Sequence, residues 1–342
     1  FQIVGVITQP DQPAGRGRVL TPPPVKVLAQ SMDLPVYQPA SLRDDGAILQ
    51  LSEWQPDVIV VVAFGQILRQ DVLELPPSGC INVHASLLPR WRGAAPVQAA
   101  ILHGDRETGV SIMRLDAGID TGPVYCKQAH KIQPDDTAAS LSQRLARLGA
   151  DVLLNTLPGI LDGSLSPQSQ EESQATYASM LKKEDGNLDF SQPAMSLANK
   201  VRAFSPWPGA FTHLDRKRLK ILKSALSEGR IQAQPGTVVR AGLEGIQVVT
   251  GGGYLLLTEV QPENRSRMKA QEFISGHALP AAETQVQRKH VPDDGCRPAA
   301  EYQQVPRRFA RLAIDPAGDE RCRKALGHIQ KKRREAELPA AQ

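Results

Sequence analysis

Asp57-Val58-Ile59-Val60-Val61-Val62-Ala63-Phe64 is an unbroken apolar run behind a single carboxylate. A strand with water on one face alternates polar and apolar side chains, whereas a strand buried on both faces of a parallel sheet reads as continuous Val and Ile. The run therefore predicts a strand inside an α/β sheet. It is far shorter than the ~20 residues that span a bilayer. Upstream, Ile3 to Thr8 is a second apolar run, closed by the Pro/Gly-rich loop Gln9-Pro10-Asp11-Gln12-Pro13-Ala14-Gly15-Arg16-Gly17-Arg18. Pro24 to Met32 has helical spacing. Downstream, a helix-like stretch from Gln66 to Leu75 ends at Pro76-Pro77, and a short strand follows from Cys80 to His84. An apolar helix is expected around Val97 to His103, with further strands at Val110–Leu115 and Val124–Ile132. Asp135-Asp136-Thr137 marks a helix N-terminus, since carboxylates favour the positive dipole end. That helix is expected to run to Leu157, with Pro158 at its end. Repeated strand–loop–helix units specify a parallel α/β sheet with right-handed crossovers.

Residues 163–179 are rich in Ser, Gln and Glu, the chemistry of a linker. Beyond Phe211 the pattern changes to short β-type runs at 211–214, 219–226, 236–240, 246–250 and 254–260, with Gly251-Gly252-Gly253 as a hairpin turn. Five short strands in about fifty residues describe a small barrel, one type of which binds oligonucleotides. Residues 280–342 are rich in Ala, Arg and Gln and include Lys331-Lys332-Arg333-Arg334. This tail reads as a helix near Asp319–Leu338 and a basic arm, or as a solvated, disordered segment.

The 342 residues exceed one ordinary domain of roughly 100–200 residues, and 41% hydrophobic content excludes a wholly disordered chain. Four separated cysteines (Cys80, Cys126, Cys296, Cys322) indicate neither a zinc cluster nor a disulfide scaffold, and no secretory signal is present, so a cytoplasmic setting is expected. The net charge of +4 is unevenly spread. Residues 1–163 carry 13 basic against 16 acidic side chains, residues 164–199 carry 2 against 5, residues 200–279 carry 12 against 6, and residues 280–342 carry 13 against 9. An acidic front and a basic back fit small-molecule chemistry followed by an anionic partner, or surface variation with no such meaning.

The chemistry concentrates in Cys80-Ile81-Asn82-Val83-His84-Ala85-Ser86-Leu87-Leu88-Pro89-Arg90-Trp91-Arg92-Gly93-Ala94-Ala95-Pro96. Asn82 and His84 stand two apart and so share one face of their strand. They sit at its carboxyl end, where open α/β sheets place ligands. They are either an active-site pair or a satisfied buried histidine beside a turn-forming asparagine. In Leu115-Asp116-Ala117-Gly118-Ile119-Asp120-Thr121-Gly122-Pro123, either Asp could serve as acid or base, or bond its own backbone in a glycine-rich turn. Gly15-Arg16-Gly17 lacks the third glycine of a dinucleotide fingerprint, and neither a phosphate loop nor a nucleophile elbow is present. The seven histidines show no metal-ligand spacing.

The 81–96 run, the 116–122 loop and the 9–18 loop together resemble the methionyl-tRNA formyltransferase family, as does Arg202-Ala203-Phe204-Ser205-Pro206-Trp207-Pro208-Gly209-Ala210-Phe211. The similarity covers about residues 1–279. Asn-x-His and Leu-Asp-x-Gly-x-Asp mark the wider class that uses 10-formyltetrahydrofolate; the 9–18 loop and the basic β-domain narrow it to the tRNA enzymes. The resemblance implies a Rossmann-like catalytic α/β domain over 1–163, a connecting segment over 164–199, an OB-like tRNA-binding β-barrel over 200–279 and an unrelated tail over 280–342. The family's first strand and helix, with a Gly-Thr-Pro loop bordering the folate site, would lie before Phe1. The implied reaction moves a formyl group from 10-formyltetrahydrofolate to the methionine amine of initiator methionyl-tRNA, in translation initiation. Asn82 and a protonated His84 would donate to the developing oxyanion, and Asp120 would favour the imidazolium or relay the amine's proton. Ser86, Leu87, Leu88 and Pro89 match the folate-contacting segment. Arg16 matches a position gripping the acceptor stem, and Arg216, Lys217, Arg218, Lys220 and Lys223, with Arg230, suit phosphate contacts. No metal is required, no membrane is involved and a monomer is expected. The alternatives are a formyltransferase acting on another amine, such as an amino sugar or glycinamide ribonucleotide, and a non-catalytic tRNA-binding remnant.

Overall fold

The computed structural model describes residues 1–15, 17–277, 279, 283 and 284. The chain divides into two compact units, Phe1–Lys182 with Arg202–Pro206, and Lys183–Val201 with the residues from Trp207 on. The expected tail helix near 319–338 lies outside the described residues.

In the first unit the parallel pairing joins Val6–Ile7 to Val36–Tyr37, and Ile59–Val61 to Cys80–His84. The sheet then continues antiparallel through Glu107–Arg114 and Val124–Lys131. The parallel reading thus holds for the front of the unit; the last two strands pair antiparallel, the first of them after helix Pro96–Leu102 and the second directly after its neighbour. Helix Ala138–Leu161 packs Leu141 and Leu145 against Ile81, Val110 and Ile112 of this sheet. That packing fixes the strand whose end carries Asn82 and His84.

Three local expectations change. The Asp57–Phe64 run forms a strand only over Ile59–Val61, and it is not buried on both faces, with Val60 and Val62 39% and 60% exposed. Its ladder among the described residues runs only to Cys80–His84, so it stands at the edge of the four-stranded sheet. The Gln66–Leu75 helix shrinks to Gln70–Leu73. The chain turns first at Ala63 and Gly65, both with positive φ, and the Gln66 side chain accepts from the backbone of Leu42 instead of entering a helix. Pro158 does not end its helix, which continues to Leu161. The carbonyl that proline leaves without a partner belongs to Leu154, on an exposed turn where water can serve it.

In the second unit the five expected strands are Phe211–Leu214, Lys217–Ser227, Val238–Gly242, Gly245–Val249 and Tyr254–Pro262. All ladders between them are antiparallel; Met268–Lys269 adds to the last strand, and Glu283–Thr284 joins Val238–Gly242 in parallel. Leu219, Ile221, Val248, Leu255 and Leu257 fill the core with Phe273 of helix Ala270–Gly276.

Candidate active site

Asn82 and His84 occupy alternate positions on the Cys80–His84 strand, and the 116–122 loop follows the neighbouring Glu107–Arg114 strand. Because these two strands are antiparallel neighbours, the loop leaves the second beside the start of the first, with the Leu115 N–H donating to the Cys80 carbonyl at 2.7 Å, and turns back to reach Asn82 and His84. The two aspartates of the loop then separate. Asp116 is spent on the turn, accepting from the Gly118 N–H and from the Thr121 hydroxyl. Asp120, held at φ +52°, faces the strand end.

Three groups meet its carboxylate. The Asn82 Nδ2 donates to Oδ1 at 3.3 Å, the Gly93 N–H donates to Oδ2 at 2.8 Å, and His84 Nδ1 stands 3.5 Å from Oδ2. On the other side of the ring, His84 Nε2 lies 3.0 Å from the Trp91 carbonyl. A carbonyl only accepts, so Nε2 carries a proton there. The imidazole therefore stands between two acceptors, one facing each ring nitrogen. The 3.5 Å gap exceeds ordinary hydrogen-bond reach and leaves that edge of the ring uncommitted. His84 is buried, whereas Asn82 and Asp120 are half-buried and reach solvent.

Trp91 and Gly93 are parts of the site that the sequence pattern does not single out. Trp91 has φ +62° and Gly93 φ +113°, so the backbone bends sharply to aim a carbonyl at His84 and an N–H at Asp120. A Cβ on Gly93 would lie 2.6 Å from the Ala178 carbonyl oxygen, which reserves this position for glycine. Residues of the polar 163–179 stretch are also engaged. Arg92–Gly93 pairs in parallel with Tyr177–Ala178, and the Trp91 N–H donates to the Thr176 hydroxyl. Composition assigns this stretch to a linker, but Gln170, Thr176 and the Tyr177–Ala178 backbone are spent on the site's own backbone.

Ser86, Leu88 and Pro89 are buried and the Leu88–Pro89 bond is cis. The Ser86 carbonyl accepts from the Ser111 hydroxyl, the Leu88 N–H donates to the Ser111 hydroxyl oxygen, and the Leu87 carbonyl accepts from the Arg90 N–H. These backbone groups, which the resemblance would offer to folate, already have partners. The segment forms a rigid wall beside the strand end, with Leu87 alone of the four half-buried.

The 9–18 loop folds into a hairpin, Gln12–Ala14 against Val19–Thr21. Asp11 anchors its base, accepting from Lys26 Nζ at 2.8 Å and from Gln38 Nε2 at 2.9 Å; these donors hold its carboxyl below the usual range. Arg16 lies outside the described residues. In the second unit, Asp215 and Arg216 both have positive φ and form a two-residue hairpin turn, with exposed Lys217 and Lys220 beside it. Arg218 stacks over the Phe211 ring at 3.6 Å, and Lys223 is paired with Glu259 at 3.2 Å. Among the described residues no group of three or more His, Cys, Asp or Glu could hold a metal ion, and no helix is long and apolar enough to cross a membrane.

Residues 1–157 match the formyl transferase family and residues 180–278 match the formyl transferase C-terminal domain. The chain is 50% identical over 277 residues to the methionyl-tRNA formyltransferase of Myxococcus xanthus, covering 81% of this chain and 88% of that one. It is 48% identical over 278 residues to that of Geotalea daltonii, again covering 81% and 88%. Among solved structures, HypX from Aquifex aeolicus in complex with tetrahydrofolic acid superposes with a TM-score of 0.55 at 18% identity, covering 83% of this chain and 47% of HypX.

Proposed function

The chain belongs to the methionyl-tRNA formyltransferase family, and on that premise we propose that Asn82, His84 and Asp120 carry formyl transfer from 10-formyltetrahydrofolate to the amine of initiator methionyl-tRNA. Near 50% identity over most of both chains disfavours an enzyme built for an amino sugar or a nucleotide amine. The carboxylate of Asp120, gripped by the Asn82 amide and the Gly93 N–H and facing His84, is the observation that carries the assignment of roles.

The donor set suits a formyl oxygen. Asn82 commits one amide hydrogen to Asp120 over a long 3.3 Å and keeps the second. Bound folate supplies an activated one-carbon group for the amine to attack. Asn82 Nδ2 and the uncommitted edge of His84 then donate to the oxygen on which charge develops. Each such donor contributes about 2.7–4 kcal/mol in other enzymes. Asp120 balances the imidazolium and takes the amine's proton, directly or through one water. The tetrahedral centre then collapses with cleavage of the bond from the formyl carbon to the folate nitrogen, which takes up that proton and leaves as tetrahydrofolate. The Ser86–Pro89 segment walls the folate side, and Leu87 is its contact surface. Arg16 and the basic turn at Arg216 address the tRNA, with phosphate contacts that carry no sequence information. The same reading places the protein in the cytoplasm at translation initiation, as a monomer without a membrane or metal.

The test is formyl transfer to initiator methionyl-tRNA by the parent chain, His84→Ala and Asn82→Ala. Each variant is expected to lose about 10²–10³ in kcat while keeping its affinity for tRNA, because each removes a donor that acts on developing charge. Near-normal turnover in either variant removes that residue from the mechanism.

A further inference from the structure

Gln170 lies in the Ser/Gln/Glu-rich stretch that composition marks as a connection, yet it reaches the loop that carries Asp120. Its Nε2 donates to the Asp120 carbonyl at 2.8 Å and to the Gly122 carbonyl at 2.7 Å. Its Oε1 accepts from the Arg92 Nε at 3.0 Å. This orientation is the only one the partners permit. A guanidinium only donates and a carbonyl only accepts, so the oxygen must face Arg92 and the amide hydrogens must face the loop. The Arg92 side chain is completely buried, and its Nη1 donates to both carboxylate oxygens of Glu172 at 2.8 and 3.0 Å.

Arg92 and Gly93 therefore hold Asp120 from two directions. The Gly93 N–H binds the carboxylate directly, and Arg92 holds the backbone of the same residue through Gln170. Asp120 sits in the left-handed region at φ +52°, a conformation an L-residue keeps only where its surroundings impose it. Two carbonyls fixed by one amide, on either side of Thr121, impose it here.

We propose that Gln170, oriented by Arg92, is a positioning residue that sets the Asp120 carboxylate against His84 and Asn82. The inference rests on the catalytic role given to Asp120. Gln170 touches neither folate nor amine; it acts through the loop backbone.

The experiment compares kcat, both KM values, the pH dependence of kcat and thermal unfolding for Gln170→Ala, Gln170→Glu, Asp120→Asn and the Gln170→Ala/Asp120→Asn double variant, all in the full chain. Gln170→Ala is expected to lower kcat at least tenfold, to shift the kcat–pH profile, and to leave both KM values within about twofold. Gln170→Glu keeps the size of the side chain and an oxygen toward Arg92 but turns an oxygen toward two carbonyls, so it should lose as much. In the Asp120→Asn background, Gln170→Ala should cost less than a further twofold, because the group it positions is gone. Unchanged kcat in both Gln170 variants overturns the proposal, as does a full additive loss in the double variant. Lower Tm in Gln170→Ala with the Gln170→Glu kcat and pH profile intact also overturns it, since the residue would then only stabilise. Near-normal turnover of Asp120→Asn by itself marks the failure of the underlying reading, and the proposal falls with it.

Discussion

At the scale of single residues, the site depends on backbone groups aimed by unusual dihedral angles as much as on its side chains. Gly93 has φ +113° and no room for a Cβ against the Ala178 carbonyl at 2.6 Å. Gly93→Ala must either relax that dihedral or push Tyr177–Ala178 away, and both movements withdraw the N–H from Asp120. We expect a loss of about 2–4 kcal/mol in unfolding free energy together with a kcat loss larger than the change in either KM. Urea unfolding and steady-state kinetics on one preparation check both. Asn82 and His84 are readable in the sequence because a period of two is enough to put them on one face. Residue chemistry alone leaves Asp116 and Asp120 open in the same glycine-rich loop and the resemblance selects Asp120; the fold supplies the physical reason, since Asp116 is held in its own turn while Asp120 faces Gly93 and the histidine. Gln170 carries no such signal. It lies about fifty residues from Asp120 with no periodic pattern around it, and its partners are backbone carbonyls that any sequence would provide.

At the scale of elements, the start of helix Ala138–Leu161 shows how local chemistry and burial combine. Thr137 caps the helix, its hydroxyl accepting from the Ser140 N–H at 3.2 Å, and the Ser140 hydroxyl accepts in return from the Thr137 N–H at 3.0 Å. Asp136, 3% exposed, accepts from the Gln133 N–H at 2.7 Å and from the Ser140 hydroxyl at 2.8 Å, and it pairs closely with Arg144. Burial pushes its carboxyl up, but Arg144 and the two further donors outweigh burial and hold it below the ordinary value of 3.8. A carboxyl depressed on folding contributes stability that is present above the unfolded value and lost as pH falls through the folded one. Asp136→Asn should thus lower stability at pH 7 by about 1–3 kcal/mol and flatten the stability loss below pH ~4. Thr137→Ala should cost about 0.5–2 kcal/mol with no change in that acid slope. Urea midpoints from pH 3 to 7 distinguish them. This helix start was readable because Asp-Asp-Thr is a local signal. The end was not, because whether Pro158 stops a helix depends on whether water can reach the carbonyl it abandons. The strands of the second unit were readable as short β-type runs set off by turn signals, whereas the Val60 face was not, since burial of a run depends on what pairs beside it.

At the scale of the whole molecule, the distribution of charge separates what the two parts can bind. Residues 1–163 carry a small acidic excess and residues 200–279 have twice as many basic as acidic side chains. A polyanion is therefore drawn to the second stretch before any specific contact forms. Each phosphate neutralised releases condensed counterions, so the logarithm of tRNA affinity should fall linearly with the logarithm of salt, with a slope of about −0.7 to −0.9 per contact. The basic side chains are not equivalent in this respect. Arg216 and Lys217 stand exposed at the hairpin turn and Lys220 is exposed on the strand that follows, all three available to phosphates. Lys223 already faces Glu259, and the Arg218 guanidinium is stacked on Phe211. Removing Lys220 or Arg216 should reduce the slope by about one contact each and weaken binding of all tRNAs alike. Removing Lys223 should reduce it less, because its ammonium is already paired with Glu259 and is less available to a phosphate. Arg218→Ala should instead lower stability through lost packing on the ring. Filter binding of initiator methionyl-tRNA between 50 and 300 mM salt measures all four slopes. Equal slopes for Lys220→Ala and the parent would place the tRNA contacts elsewhere on the molecule, and a flat response in the parent would remove the electrostatic account altogether.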